Sequence, residues 1–163
     1  MQPSIAERFV FGRPYDPGAA DTLAPVVPRS TLALIGRILM SAIFILSGIS
    51  KFADPASTIG YMSSAGVPRP DILVYVAAVA ELVGGLSLLF GFLARIGALG
   101  LIVLVVIITG FFHRFWELPA AEAAMQQAHF LKNLAIMGGL FMVVAMGPGR
   151  YSLDAGIRRS KAP

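Results

Sequence analysis

Of the side chains able to exchange protons or hold a polar ligand, Glu81 stands out because it interrupts a run of 23 residues, Ile72 to Ala94, that has no other charge. Near a bilayer centre a charge costs about 2.5 to 3.5 kcal/mol on insertion scales, so a carboxylate there is paired, protonated or turned to a polar cavity. Lys51, His113, His129, Lys132 and Asn133 could serve the same centre. Imidazole changes charge near neutral pH, lysine only donates, and a carboxamide does both. His129, Lys132 and Asn133 follow i, i+3, i+4 spacing and share one side of a helix. Together these groups suit a proton-coupled ligand. Two histidines could also grip a haem iron or a metal, but no carboxylate or cysteine accompanies them at ligand spacing.

The elements that must carry them are membrane spans. The chain is 56% hydrophobic and 13% charged over 163 residues, with a mean hydropathy of +0.76. A span needs about 20 mostly apolar residues, and the sequence predicts four, at 31–50, 72–93, 95–112 and 128–146. Gly91 and Arg95 divide the second from the third with a tight hairpin. The expected fold is all-α: a polytopic membrane protein built as a four-helix up-and-down bundle. Asp54 followed by Pro55 reads as an N-cap and first helical residue, and Gly66, Pro68 and Pro70 stop what begins there, so a short interfacial helix is expected on the outer side. Ala120 to Gln127 favours helix, which starts the fourth span before the bilayer. Residues 1–30, with five prolines, read as a disordered cytoplasmic tail, 31–150 as the membrane domain, and 151–163 as a basic cytoplasmic tail.

Helical spacing assigns faces. Arg37, Ser41, Phe44, Gly48 and Lys51 form one stripe of the first span, opposite Ile38, Leu39, Ile43, Ile45, Leu46 and Ile49, which meet lipid. Glu81 shares its face with Gly84 and Gly85, which admit a neighbouring backbone and turn the carboxylate inward. Up-and-down connectivity gathers Lys51, Thr109, His113, His129, Lys132 and Asn133 in the outer half of the bundle. By helical rise Glu81 lies about 14 Å below the outer end of its helix and Lys132 about 6 to 8 Å below its own, so Lys132 or Lys51 is the expected counter-charge. Arg37 is expected to snorkel to the headgroups, and Lys51 either snorkels or turns inward. Trp116 and Tyr61 read as interface anchors.

Nine Lys and Arg fall on the side of both termini and four on the other, which predicts cytoplasmic termini in a bacterial-type inner membrane. The isoelectric point near 9.9 suits an anionic leaflet and calls for no nucleic acid. With no cysteine there is no thiol relay, iron–sulfur cluster or c-type haem attachment. No nucleotide-, flavin- or zinc-binding motif and no nucleophile elbow is present.

The run from Gly36 and Arg37 through Phe44, Gly48 and Lys51 to Phe52 resembles the DoxX family of small four-helix membrane proteins. So do Glu81 with Gly84 and Gly85, Phe130 with Lys132 and Asn133, and the closing segment from Gly147 to Asp154. The likeness runs from Leu32 to Asp154. It implies the fold, and as function a quinone-linked membrane subunit of a thiosulfate:quinone oxidoreductase-like complex, with soluble redox partner proteins. It supplies no agreed catalytic motif. The candidate assignments are therefore Glu81 and Lys132 for proton transfer, and Lys51, His113, His129 and Asn133 around a quinone. Two further readings stay open: a non-enzymatic scaffold in which Glu81 and a lysine set helix register, and passage of a small acid or proton through the bundle or a homo-oligomer.

Overall fold

The computed structural model describes residues 28–160, all helix and connection. Four helices are long and apolar enough to cross a membrane: α1 (Arg29–Ala53), α3 (Pro70–Phe90), α4 (Ala94–Phe112) and α5 (Ala120–Met146). Between α1 and α3 lies the short α2 (Pro55–Ser64). A 3-10 turn (Phe115–Glu117) links α4 to α5, and α6 (Leu153–Ser160) ends the described chain. The end with α2 and the 3-10 turn is the loop end here, and the end with the α3–α4 connection and α6 is the terminal end. The proline-rich tail expected over 1–30 lies, up to residue 27, outside the described residues.

Local chemistry sets each boundary. Asp54 accepts a hydrogen bond from Ser57 N (3.1 Å) and Pro55 opens α2, so the predicted cap and first residue are in place. Gly91, at φ +64°, closes α3 in the left-handed conformation that costs glycine least. Leu93 follows at φ +49°, a region disfavoured for a branched residue, and precedes α4, which starts at Ala94, one residue before the expected 95. The fourth membrane helix begins at Ala120, eight residues before the expected span at 128, as the alanine-rich run predicts.

The helices pack in the order α1, α3, α4, α5, each along the next. Glycines set the close approaches. A Cβ at position 48 would lie 2.7 Å from Leu82 Cγ and 3.0 Å from the Ala78 carbonyl oxygen, and one at position 84 would lie 2.5 Å from Leu101 Cγ. Small residues let apolar helices associate where lipid removes the hydrophobic drive between them. The core joins Phe44, Leu88, Leu101, Val105 and Leu140, and α1 reaches α5 through Met40, whose Cε lies against Gly139. A second cluster of Met62, Val67 and Val74, with Phe112 beside it, seats α2 at the loop end. The predicted lipid face of α1 is exposed, with Leu39 70% and Leu46 66% accessible, except for Ile45, which is partly buried against Gly85 of α3 because that glycine admits it. α5 is the least enclosed span, burying only Asn133 and Leu140.

Candidate functional site

Glu81 is buried on the same face of α3 as Ala78, Gly84, Gly85 and Leu88. Its partner is Lys51. The ammonium nitrogen lies 3.0 Å from Glu81 Oε1, 2.8 Å from Oε2 and 2.7 Å from Ser47 Oγ. Lys51 has three protons to donate, and these three acceptors account for them. The carboxylate side chain is 4% exposed and the lysine 16%. The pair therefore neutralises itself inside the bundle and fastens α1 to α3.

Lys132 takes no part in that pair. It is exposed on α5, and its Nζ lies 3.3 Å from Nδ1 of His129, one helical turn away. Asn133, the next residue, points the other way and is buried, donating from Nδ2 to Thr109 Oγ1 (2.9 Å), whose hydroxyl in turn bonds the Val105 carbonyl (2.6 Å). A one-residue step on a helix turns a side chain by about 100°, which separates Lys132 from Asn133 despite their shared i, i+3, i+4 stripe. The single outer pocket expected from connectivity is thus two sites: a closed ion pair between α1 and α3, and a polar cluster between α4 and α5.

The second site centres on two stacked imidazoles. His113 caps the C-terminus of α4 and His129 comes from α5, with ring centroids 5.3 Å apart and planes 27° apart. Gln126 Oε1 lies 2.8 Å from His113 Nδ1. An amide oxygen only accepts, so His113 Nδ1 donates to it. An ammonium only donates, so His129 Nδ1 accepts from Lys132. In the neutral rings these partners leave an acceptor at His113 Nε2 and a donor at His129 Nε2. Among the described residues no group of three or more metal-ligating side chains converges.

At the terminal end the structure departs from the sequence expectation. Arg37 does not snorkel: it is 2% exposed and donates to the carbonyls of Leu88 (3.0 Å), Leu89 (3.4 Å) and Tyr151. The last carbonyls of α3 lie beyond its regular hydrogen-bond ladder; the Leu88 carbonyl accepts from Gly91 N (3.2 Å) and from the guanidinium, which also reaches Leu89. Asp154, fully buried, accepts from the backbone N–H of Leu93 (2.9 Å) and Ala94 (3.2 Å), while its own N–H bonds the Gly91 carbonyl (3.0 Å). Thus the segment read as the start of a basic tail caps α4 and holds the strained Leu93. Burial lowers the pKa of Arg158 on α6, with Asp154 opposing that shift. Spacing within α4 carries no sign of this cap, since its acceptor, Asp154, lies 60 residues beyond Ala94.

With the spans and polar sites located, the comparisons with known proteins decide the family. The DoxX family model matches residues 32–114, half of the chain. The inner membrane protein YqjF of Escherichia coli is 37% identical over 121 residues, covering 74% of this chain and 88% of YqjF. The chain belongs to the DoxX family. The family model ends at Arg114, short of the Asp154 expected from the resemblance, so α5 and the closing segment lie beyond the matched range. A Surfeit locus protein 4 homolog of Drosophila melanogaster is 25% identical over 92% of this chain but only 49% of its own length. CatD of Bacillus subtilis, provisionally named an oxidoreductase, is 38% identical over 39% of this chain and 46% of its own. The chain spans under half the length of these last two. No solved structure gives a significant match. This DoxX-family member is an integral membrane protein with a bacterial inner-membrane relative, and its spans are clad in lipid.

Proposed function

We propose that this DoxX-family protein is a membrane subunit of a quinone-linked redox complex, with both termini cytoplasmic, and that the quinone head group meets the His113–His129–Lys132 cluster. The observation that carries the reading is the pair of stacked imidazoles, one from each of two helices, beside the exposed Lys132 ammonium. Oxidising a quinol releases two protons and two electrons. His113 Nε2 can take one hydroxyl proton and the second passes to water at the exposed side of the cluster, while His129 Nε2–H and the exposed Lys132 ammonium donate to the ring oxygens. The electrons pass to a soluble redox partner protein, and the quinone is the group that carries them. The provisional oxidoreductase name of CatD is consistent with this class of chemistry. Glu81 stands outside the step, because both of its oxygens already engage Lys51. Asn133 serves as a support, holding α5 to α4 through Thr109.

The test is quinone binding by the purified protein, read by quenching of Trp116 and by mass spectrometry of extracted lipids. His113→Ala and His129→Ala each lower affinity at least tenfold, whereas the paired Lys51→Met, Glu81→Met variant keeps it. Binding that survives loss of both histidines overturns the reading. A scaffold role is the second reading, favoured by the saturation of Lys51 by its three acceptors. A buried pair of that kind can set helix register without touching a ligand. It predicts no quinone binding and loss of complex assembly when Glu81 is replaced.

A further inference from the structure

A groove of about 480 Å³ opens on the loop end of α4, away from both polar sites. Val106, Ile107 and Phe111 form its apolar wall, Gly66 and Gly110 leave its floor without side chains, and Arg114 stands at the rim. A Cβ at position 110 would meet no atom within 4 Å. Val106 and Ile107 are half exposed on a membrane-spanning helix, so the groove faces acyl chains. Arg114 lies two residues beyond Phe112, the last residue of α4, and a cation just past the end of a spanning helix is at the level where headgroups are expected. Among the described residues its guanidinium engages only Glu117, 3.2 Å away and, like Arg114, about half exposed. An exposed pair of that kind is worth about 0 to 1 kcal/mol, and the planar guanidinium retains donors suited to a phosphate.

We propose that this groove binds one anionic glycerophospholipid, its phosphodiester on Arg114 and one acyl chain laid over Gly110 against Val106, Ile107 and Phe111. The two halves of such a lipid match the two parts of the groove: an apolar channel over Gly110 for an acyl chain, and the Arg114 cation at its end for the phosphodiester. Gly110 acts here through absence, since any larger side chain would occupy the channel. The assignment is independent of the redox reading, because no residue of the groove belongs to the histidine cluster.

Native mass spectrometry of the detergent-purified full chain, titrated with phosphatidylglycerol and with diacylglycerol of the same chains, tests it. The wild type retains one phosphatidylglycerol and binds diacylglycerol at least tenfold more weakly. Arg114→Gln lowers phosphatidylglycerol affinity about tenfold, and Gly110→Leu, which fills the channel without meeting protein atoms at its Cβ, abolishes retention. Elution as a single species and an unchanged melting temperature in lipid-free detergent certify that both variants fold. Equal binding of diacylglycerol, retention unaffected by Gly110→Leu, or an isoprenoid quinone found in the lipid's place each overturns the assignment.

Discussion

Removing either partner of the Lys51–Glu81 pair leaves the other charge buried, and the size of the effect follows from the geometry. The carboxylate side chain is 4% exposed, which sets the pair in the buried regime, where deleting one partner costs about 3 to 5 kcal/mol rather than the about 0 to 1 kcal/mol of a surface pair. Glu81→Met strands the Lys51 ammonium with Ser47 as its remaining acceptor, and Lys51→Met strands the carboxylate. Each single change is expected to lower stability by about 3 to 5 kcal/mol, or about 6 to 20 °C in Tm for a chain of this size. The double change removes both desolvated charges and fills their volume with apolar atoms, so it returns to within about 1 to 2 kcal/mol of the wild type. The assay is a double-mutant cycle by denaturant titration in mixed detergent micelles. Additive losses, with the double variant about 6 to 10 kcal/mol less stable, would refute the view that each lysine and carboxylate contact exists to neutralise the other.

Asp154→Ala removes the acceptor for Leu93 N and Ala94 N, and should cost about 2 kcal/mol, the upper range for a lost helix cap, with faster hydrogen exchange confined to the α3–α4 turn. Gly84→Val drives a side chain into Leu101 and should destabilise by about 1 to 3 kcal/mol, which thermal unfolding in detergent reads, whereas Gly110→Ala should be neutral or slightly stabilising because its Cβ meets nothing. Ser47→Ala deletes one of the three acceptors of Lys51 and should cost about 1 kcal/mol, well below loss of Glu81. Arg37→Met removes the guanidinium that joins the Leu88 and Leu89 carbonyls to that of Tyr151 and should loosen the terminal end, seen as protease cleavage after Tyr151 that the wild type resists.

Hydropathy and helical period in one dimension were enough to settle the four spans, the short α2 with its Asp54 cap, the Gly91 turn and the inward face of Glu81. Each of those depends on residues within a few turns of one another: a run of apolar side chains, a capping oxygen three residues before its donor, glycines one turn from a carboxylate. The candidate site was legible only in part. Lys51 and Lys132 were equal claimants for Glu81 because rise per residue gives depth but not azimuth, and the packing of α1 along α3 chose Lys51. The same azimuth turned Asn133 into the bundle and Lys132 out of it, and so divided one expected pocket into two sites.

What the sequence determined by itself is the solvent and the element list: a composition so apolar must be helices in lipid, because there every backbone polar group has to be satisfied within its own segment. The tertiary structure alone decided which charges meet. Arg37 reaches the end of α3 and the Tyr151 carbonyl, and Asp154 reaches the start of α4, across separations of 51 to 114 residues. No local pattern encodes such contacts. They form because a buried carbonyl or N–H at a helix end must find a partner, and the fold brings a charged side chain from elsewhere in the chain within reach.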